Sequence, residues 1–214
     1  MWIIPSESGG SNILDNGFAN IDPLFYIAPW VYLFLIPAIT MRSFSEERKS
    51  GTIELLLTRP LTDMQIVLAK YFAGLTLVLI SLLPTLIYYY SVSVLSAKNI
   101  TVDTGGMWGS YIGLFFLGAG FVAIGILASA ISENQVIAFI VALLLCFLCY
   151  VGFDFIADSG VFGKYDYFVK SLSINQHYLS MSRGVIDTRD AVYFVSVAVI
   201  FNLITKTVLE SRKW

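Results

Sequence analysis

Long apolar runs alternate with short polar ones along this chain, and the runs have the length of membrane spans. Five stretches stand out, at about 23–41, 71–95, 108–131, 135–153 and 191–209. Roughly 20 apolar residues in helical form cross a bilayer core, so each stretch predicts one spanning helix. Pro29 and Pro37 lie inside the first, where a membrane helix tolerates them as kinks. The second has a marked start: Thr62 and Gln65 form a capping box, with Leu61 and Ile66 as its hydrophobic staple. Lys70 is expected to snorkel to the interface. The fifth starts after Asp187 or Thr188 as cap, and Lys206 is expected to snorkel near its end. The pattern predicts an all-α polytopic helical bundle forming a single transmembrane domain over residues 1–214.

Small residues mark the third span. Gly109 and Gly113 form a GxxxG pair, and Ala119 with Ala123 and Gly125 with Ser129 repeat the spacing. Such positions let helix backbones approach closely in lipid, either within one bundle or across a dimer face.

Two polar segments break the apolar pattern. Residues 154–190 mix Asp154, Asp158, Lys164, Asp166, Lys170, Arg183, Asp187, Arg189 and Asp190 with tyrosines and Phe168. That mixture suits interfacial helices on the outer surface. The other segment, 42–62, carries seven charges: Arg42, Glu46, Glu47, Arg48, Lys49, Glu54 and Arg59. Ser43 and Glu46 have capping-box spacing, and Arg42 and Glu46 sit i,i+4 for an ion pair. Gly51 interrupts the helix, Thr52–Leu57 resumes an amphipathic path, and Pro60 ends it. The expected form is a short helix, a joint and a second helix, parallel to the membrane. Such a loop is either a docking element or a solvated loop that obeys the positive-inside rule.

Composition sharpens the class. The chain is 57% hydrophobic, 15% aromatic and 13% charged, with mean hydropathy +0.77. Soluble domains carry about 25% charge, so the deficit is a membrane signature. The net charge of −2 is silent on nucleic acid, but the absence of a basic stripe interleaved with aromatics excludes that class of partner. With segment 42–62 cytoplasmic, eight basic residues lie inside and five outside, a positive-inside bias. Residues 1–22 lack the basic n-region of a signal peptide. An external N-terminus without one leads us to expect a further span upstream, with Trp2-Ile3-Ile4 as its remnant.

Candidate chemistry is sparse. Cys146 and Cys149 read as apolar filler, since two thiolates without a companion ligand make a poor metal site. His177, the single histidine, reads as structural packing on the outer side. No span has Asp, Glu, Lys or Arg at its centre, which argues against a proton- or sodium-coupled carrier and fits a machine powered from outside the membrane. Ser81, Thr85, Tyr88, Tyr89 and Tyr90 are candidates to face a translocation path, though the tyrosines equally suit an interfacial belt.

The loop stretch ERKSGTIELLLTRP (Glu47–Pro60) resembles the E-R-x-x-G-T-x-E-x-L-L-x-x-P-like signature of ABC-2-type transporter permeases. Within that family the likeness is to the gliding-motility-associated permease subunits of Bacteroidota. It is carried by NILDNGFANIDPLFYIAPW, FLIPAITMRSFSEERKSGTIELLLTRPLT and HYLSMSRGVIDTRDAVYF. The resemblance implies six helices, of which five are present here, and a bacterial inner-membrane location. It implies a coupling helix that docks on an ATP-binding subunit, with Glu47, Arg48, Gly51, Thr52 and Glu54 as coupling residues. Ser43, Glu46 and Arg59 of the same loop complete the candidate set. No cofactor is expected in this chain, because ATP and Mg would be bound by the partner ATPase. The expected partners are that ATPase, a second permease half (identical or not), membrane lipid and an auxiliary membrane subunit. Two other classes compete. A passive anchor of motility or secretion machinery would share the topology. An intramembrane enzyme would need a nucleophile and base within hydrogen-bond reach, which the lone His177 outside the core does not supply.

Overall fold

The computed structural model describes residues 22–52, 61–95, 104–159, 163, 166–184 and 187–211. Among these, five helices are long and apolar enough to cross a membrane, and there is no strand. α1 (Asp22–Thr40) leads almost directly into α2 (Arg42–Lys49). α3 (Asp63–Leu82) continues through a 3₁₀ turn at Leu83–Thr85 into α4 (Leu86–Leu95). α5 (Thr104–Ile131) is followed by α6 (Gln135–Phe147), whose end widens into a π-turn at Leu148–Gly152 before α7 (Phe153–Asp158). Short α8 (Asp166–Lys170) and α9 (Ile174–Ser182) precede α10 (Thr188–Glu210).

The two caps read from sequence, at α3 and α10, both form, and the structure adds a third at α6. Thr62 Oγ1 accepts the Gln65 N–H while Gln65 Oε1 accepts the Thr62 N–H, closing the capping box of α3. Asn134 caps α6, and Asp187 caps α10 by accepting the Arg189 N–H at 3.0 Å.

α5 is the axis of the bundle. It touches each of the other four spans, while α1 packs beside α6 and α10 beside α3. Its small residues are what permit this, since Gly109, Gly113, Ala119, Ala123 and Gly125 are all buried. A Cβ on Gly109 would lie 2.5 Å from the Met181 carbonyl oxygen and 2.9 Å from Gly184 Cα. Gly113 meets Tyr178 and Met181 in the same way. The GxxxG pair therefore seats α9 of the same chain.

That contact corrects the expectation for 154–190. α9 does not lie on the surface; Ile174, Tyr178 and Met181 are buried, and the helix is wedged into the bundle end. The wedge also repairs the first span. Pro29 has no N–H, so the Phe25 carbonyl four residues earlier loses its helical donor. The Tyr178 hydroxyl donates to that carbonyl at 2.7 Å. Burial pushes the Tyr178 phenol up from its ordinary value, which keeps it a proton donor. In the same manner Ser173 Oγ donates to the Tyr150 carbonyl at the π-turn, 3.0 Å away.

Candidate coupling site

α2 stands at one end of the bundle, beside the C-terminal end of α5 and the start of α3. Its outer face carries the exposed Arg42, Glu46 and Lys49, and its inner face buries Phe44 (0% exposed) and Ser45. The sequence expectation of a Ser43–Glu46 capping box is not met. The N-cap position is Met41, which offers no side-chain acceptor, and Glu46 is exposed to solvent. Because α1 runs on to Thr40, Ser43 already sits inside helical backbone and has no cap to form.

The cap comes from another helix. Ser129 Oγ, near the end of α5, accepts the N–H groups of Phe44 at 2.8 Å and Ser45 at 3.1 Å, and donates to the Met41 carbonyl at 2.9 Å. These two N–H groups are among those that a helix start leaves without intrahelical partners. Gly125, one turn earlier, gives Thr40 the space to approach, since a Cβ there would overlap the Thr40 hydroxyl.

A second attachment comes from α3. Lys70 Nζ donates to the Ser43 carbonyl at 2.5 Å and pairs with Glu47 Oε1 at 2.6 Å. It also lies 4.6 Å from the centre of the Phe44 ring, a cation–π distance. Lys70 thus points into the α2 contact and does not snorkel to water as expected. The anticipated Arg42–Glu46 ion pair is absent among the described residues; Glu47 is the residue of α2 that pairs, with Lys70.

The helix end is built from the Ser-Gly-Thr that follows. Gly51 has φ +71°, the left-handed conformation that only glycine adopts without penalty. It brings the Gly51 N–H to the Arg48 carbonyl at 3.1 Å and the Ser50 N–H to the Glu46 carbonyl at 3.0 Å. The Thr52 hydroxyl reaches the Glu47 carbonyl at 3.4 Å and shares a 2.9 Å bond with Ser50 Oγ. Arg48 is half-buried. Of the expected coupling residues, Ser43, Glu46, Glu47, Arg48, Gly51 and Thr52 are therefore gathered on one short capped helix and its end. Glu54, Arg59 and Pro60, and with them the expected second helix, lie outside the described residues.

Sequence reasoning missed Ser129 and Lys70. Ser129 had been seen as a small residue at packing distance from Gly125, and the available signal was its hydroxyl at the end of the third span. Lys70 is 23 positions from Glu47, so only its being the lone cation early in the second span could have marked it.

The other candidates are quiet. Ser81 and Thr85 hydroxyls bond to carbonyls of their own helix, at Val78 and Leu82, and Ser81 also meets the Tyr32 hydroxyl. Tyr88 and Tyr90 face outward, and Tyr89 is half-buried. His177 Nδ1 lies 2.6 Å from the Asp190 carboxylate, its Nε2 donates to the Ser171 carbonyl at 2.9 Å, and the ring stacks on Tyr193. Cys146 is buried and Cys149 half-buried, both free. Among the described residues no cluster of His, Cys, Asp or Glu is arranged to hold a metal.

A bundle of spans around a small-residue axis, with a capped charged helix clamped to one end, fits a family of transport proteins. Residues 11–209 match the family described as ABC-2 family transporter protein, and the chain belongs to it. It is a multi-pass membrane permease subunit of an ABC transporter, and its family works in association with an ABC ATPase subunit. No curated protein matches the chain.

Proposed function

We propose that α2 and the segment after it receive the stroke of a separate ATP-binding subunit and pass it into α5 and α3. The observation that carries this reading is the double attachment of α2. Its solvent face is charged and open, whereas its inner face is capped by Ser129 of α5 and held by Lys70 of α3. A force on the open face reaches two spanning helices through short polar contacts and the buried Phe44 ring. Two states with different contacts at α2 are required, because a partner shifts an equilibrium only through differential interaction. In this reading α2 faces the cytoplasm, in agreement with the positive-inside bias. ATP and Mg are bound by the partner, the chain itself is non-catalytic, and a second permease half completes the pore in the inner membrane. The three stretches shared with gliding-motility permeases support a role in gliding or an associated secretion step.

The test is co-expression with the candidate ATPase. Glu47→Ala and Gly51→Pro should insert and purify normally while lowering permease-dependent ATPase activity. Deleting residues 45–58 should abolish co-purification of the ATPase. Full co-purification with the deletion, or an ATPase rate indifferent to all three changes, refutes the reading.

A further inference from the structure

At the end of the bundle opposite α2, both ring nitrogens of His177 in α9 face groups that accept hydrogen bonds. Nδ1 lies 2.6 Å from Asp190 Oδ1 at the start of α10, and Nε2 lies 2.9 Å from the Ser171 carbonyl in the turn before α9. A carbonyl and a carboxylate only accept, whereas a neutral imidazole has one N–H and one bare nitrogen. Both contacts are satisfied together when the ring carries two hydrogens, as imidazolium.

Two further observations point to the same charge state. The Tyr193 ring stacks on the imidazole, with centres 3.8 Å apart and planes at 18°, and an aromatic face attracts a cation. Asp190 is 5% exposed, and its Oδ2 is buried with no partner, so among the described residues His177 is the side chain that answers its charge. A buried carboxylate without a counter-charge is costly. Asp190 also sits in the first turn of α10, where the helix dipole favours its ionised form.

The other charged groups nearby are committed elsewhere or turned to water. Lys170, ahead of the Ser171 turn, pairs with Asp158, and Asp154 of α7 accepts from Asn175 and Gln176. Arg183, Asp187 and Arg189 are exposed. Cys149 of the π-turn lies near Tyr193, whose hydroxyl donates to the Leu172 carbonyl. α5 carries no charged residue, and its Phe116 ring reaches the cluster across Phe194.

We propose that the proton between His177 and Asp190 is a latch that fastens α9 into the bundle, and that its loss releases the helix. With His177 neutral, a bare Nδ1 faces the carboxylate, and attraction gives way to repulsion between lone pairs. The docked helix holds one more proton than the released one, so docking is complete at low pH and weakens as pH rises. Release also undoes what α9 supports: Tyr178, the next residue, donates to the Phe25 carbonyl, and α9 fills the space over Gly109 and Gly113. The latch is remote from α2 and does not depend on how α2 is driven.

His177 is the chain's single histidine, so isotope-labelled histidine in the full chain, purified into nanodiscs through a histidine-free tag, reports this ring alone by nitrogen NMR. At about pH 6 both nitrogens should show protonated-type shifts, and between about pH 6 and 9 Nδ1 should change to the unprotonated type. Over the same interval, hydrogen-exchange protection of peptides covering 171–182, relative to peptides covering 120–131, should fall by about tenfold or more. Asp190→Asn separates a latch from plain packing. The amide N–H it introduces donates to a bare Nδ1, so a neutral imidazole satisfies both neighbours, and α9 should stay protected at the pH that releases it in the wild type. His177→Gln, which cannot take up a proton, should give protection at 171–182 that is flat with pH. A bare Nδ1 while α9 remains fully protected in the wild type, or protection that does not follow the imidazole titration, overturns the proposal. So does a wild-type pH response surviving in either variant.

Discussion

Replacing Ser129 by alanine removes the oxygen that caps α2 while leaving every other group of that helix in place. Three hydrogen bonds go with it, from Phe44 N–H, from Ser45 N–H and to the Met41 carbonyl. The carbonyl keeps the Ser45 hydroxyl as a donor, so the damage falls on the two N–H groups. Losing a helix cap costs about 0.5–2 kcal/mol, and a buried donor left without a partner costs about 1–3 kcal/mol. Since Phe44 and Ser45 are fully buried, water cannot readily take over, and a local loss of about 2–3 kcal/mol is expected. At 1.36 kcal/mol per decade this is about a 30- to 160-fold fall in amide protection. Hydrogen exchange read by mass spectrometry on peptides covering 41–50 measures it without requiring global unfolding. Ser196→Ala is the control, because that exposed hydroxyl bonds only to the Val192 carbonyl of its own helix. Protection at 41–50 that is equal in Ser129→Ala and wild type would sink the argument that α5 caps α2.

Two further substitutions test the other end of the bundle. Tyr178→Phe leaves the Phe25 carbonyl without the donor that replaces the missing Pro29 N–H, and should destabilise the protein by about 1–3 kcal/mol in a detergent unfolding titration; an unchanged midpoint would show that the repair is dispensable. Gly109→Ala drives a Cβ into the backbone of α9 and should cost about 1–3 kcal/mol, whereas Gly120→Ala, whose Cβ would meet only Val197 at 3.8 Å, should be nearly neutral in the same melting assay.

The spans and their starts were legible because each depends on residues close in sequence. Thr62 with Gln65 and Asp187 with Arg189 are local pairs, and apolar length alone marks the helices they begin. Helix α2 was legible as a charged island, but its anchoring was not. Ser43 and Glu46 have the right spacing for a cap, yet whether a cap forms depends on where the preceding helix stops, and α1 continues past the position that spacing assumed. The group that does the capping is 85 residues from Phe44, and the cation that pairs with Glu47 is 23 away. The wedge α9 was misread as surface for a related reason. Its polar composition suits an interface, while the room for it is made by Gly109 and Gly113 in a helix far upstream.

Gly109 and Ser129 lie 20 positions apart on one unbroken helix, which at 1.5 Å per residue separates them by about 30 Å. One end abuts α9 and the other holds α2, so α5 has the geometry of a lever with its handle at Ser129. Tilting such a rod by about 5° about its Ser129 end sweeps the Gly109 end through about 2.6 Å. That travel is several times the few tenths of an ångström by which close-packed neighbours yield, so α9 must ride with it or part from it. A small rotation at the charged end therefore arrives at the far end as a choice between two packings.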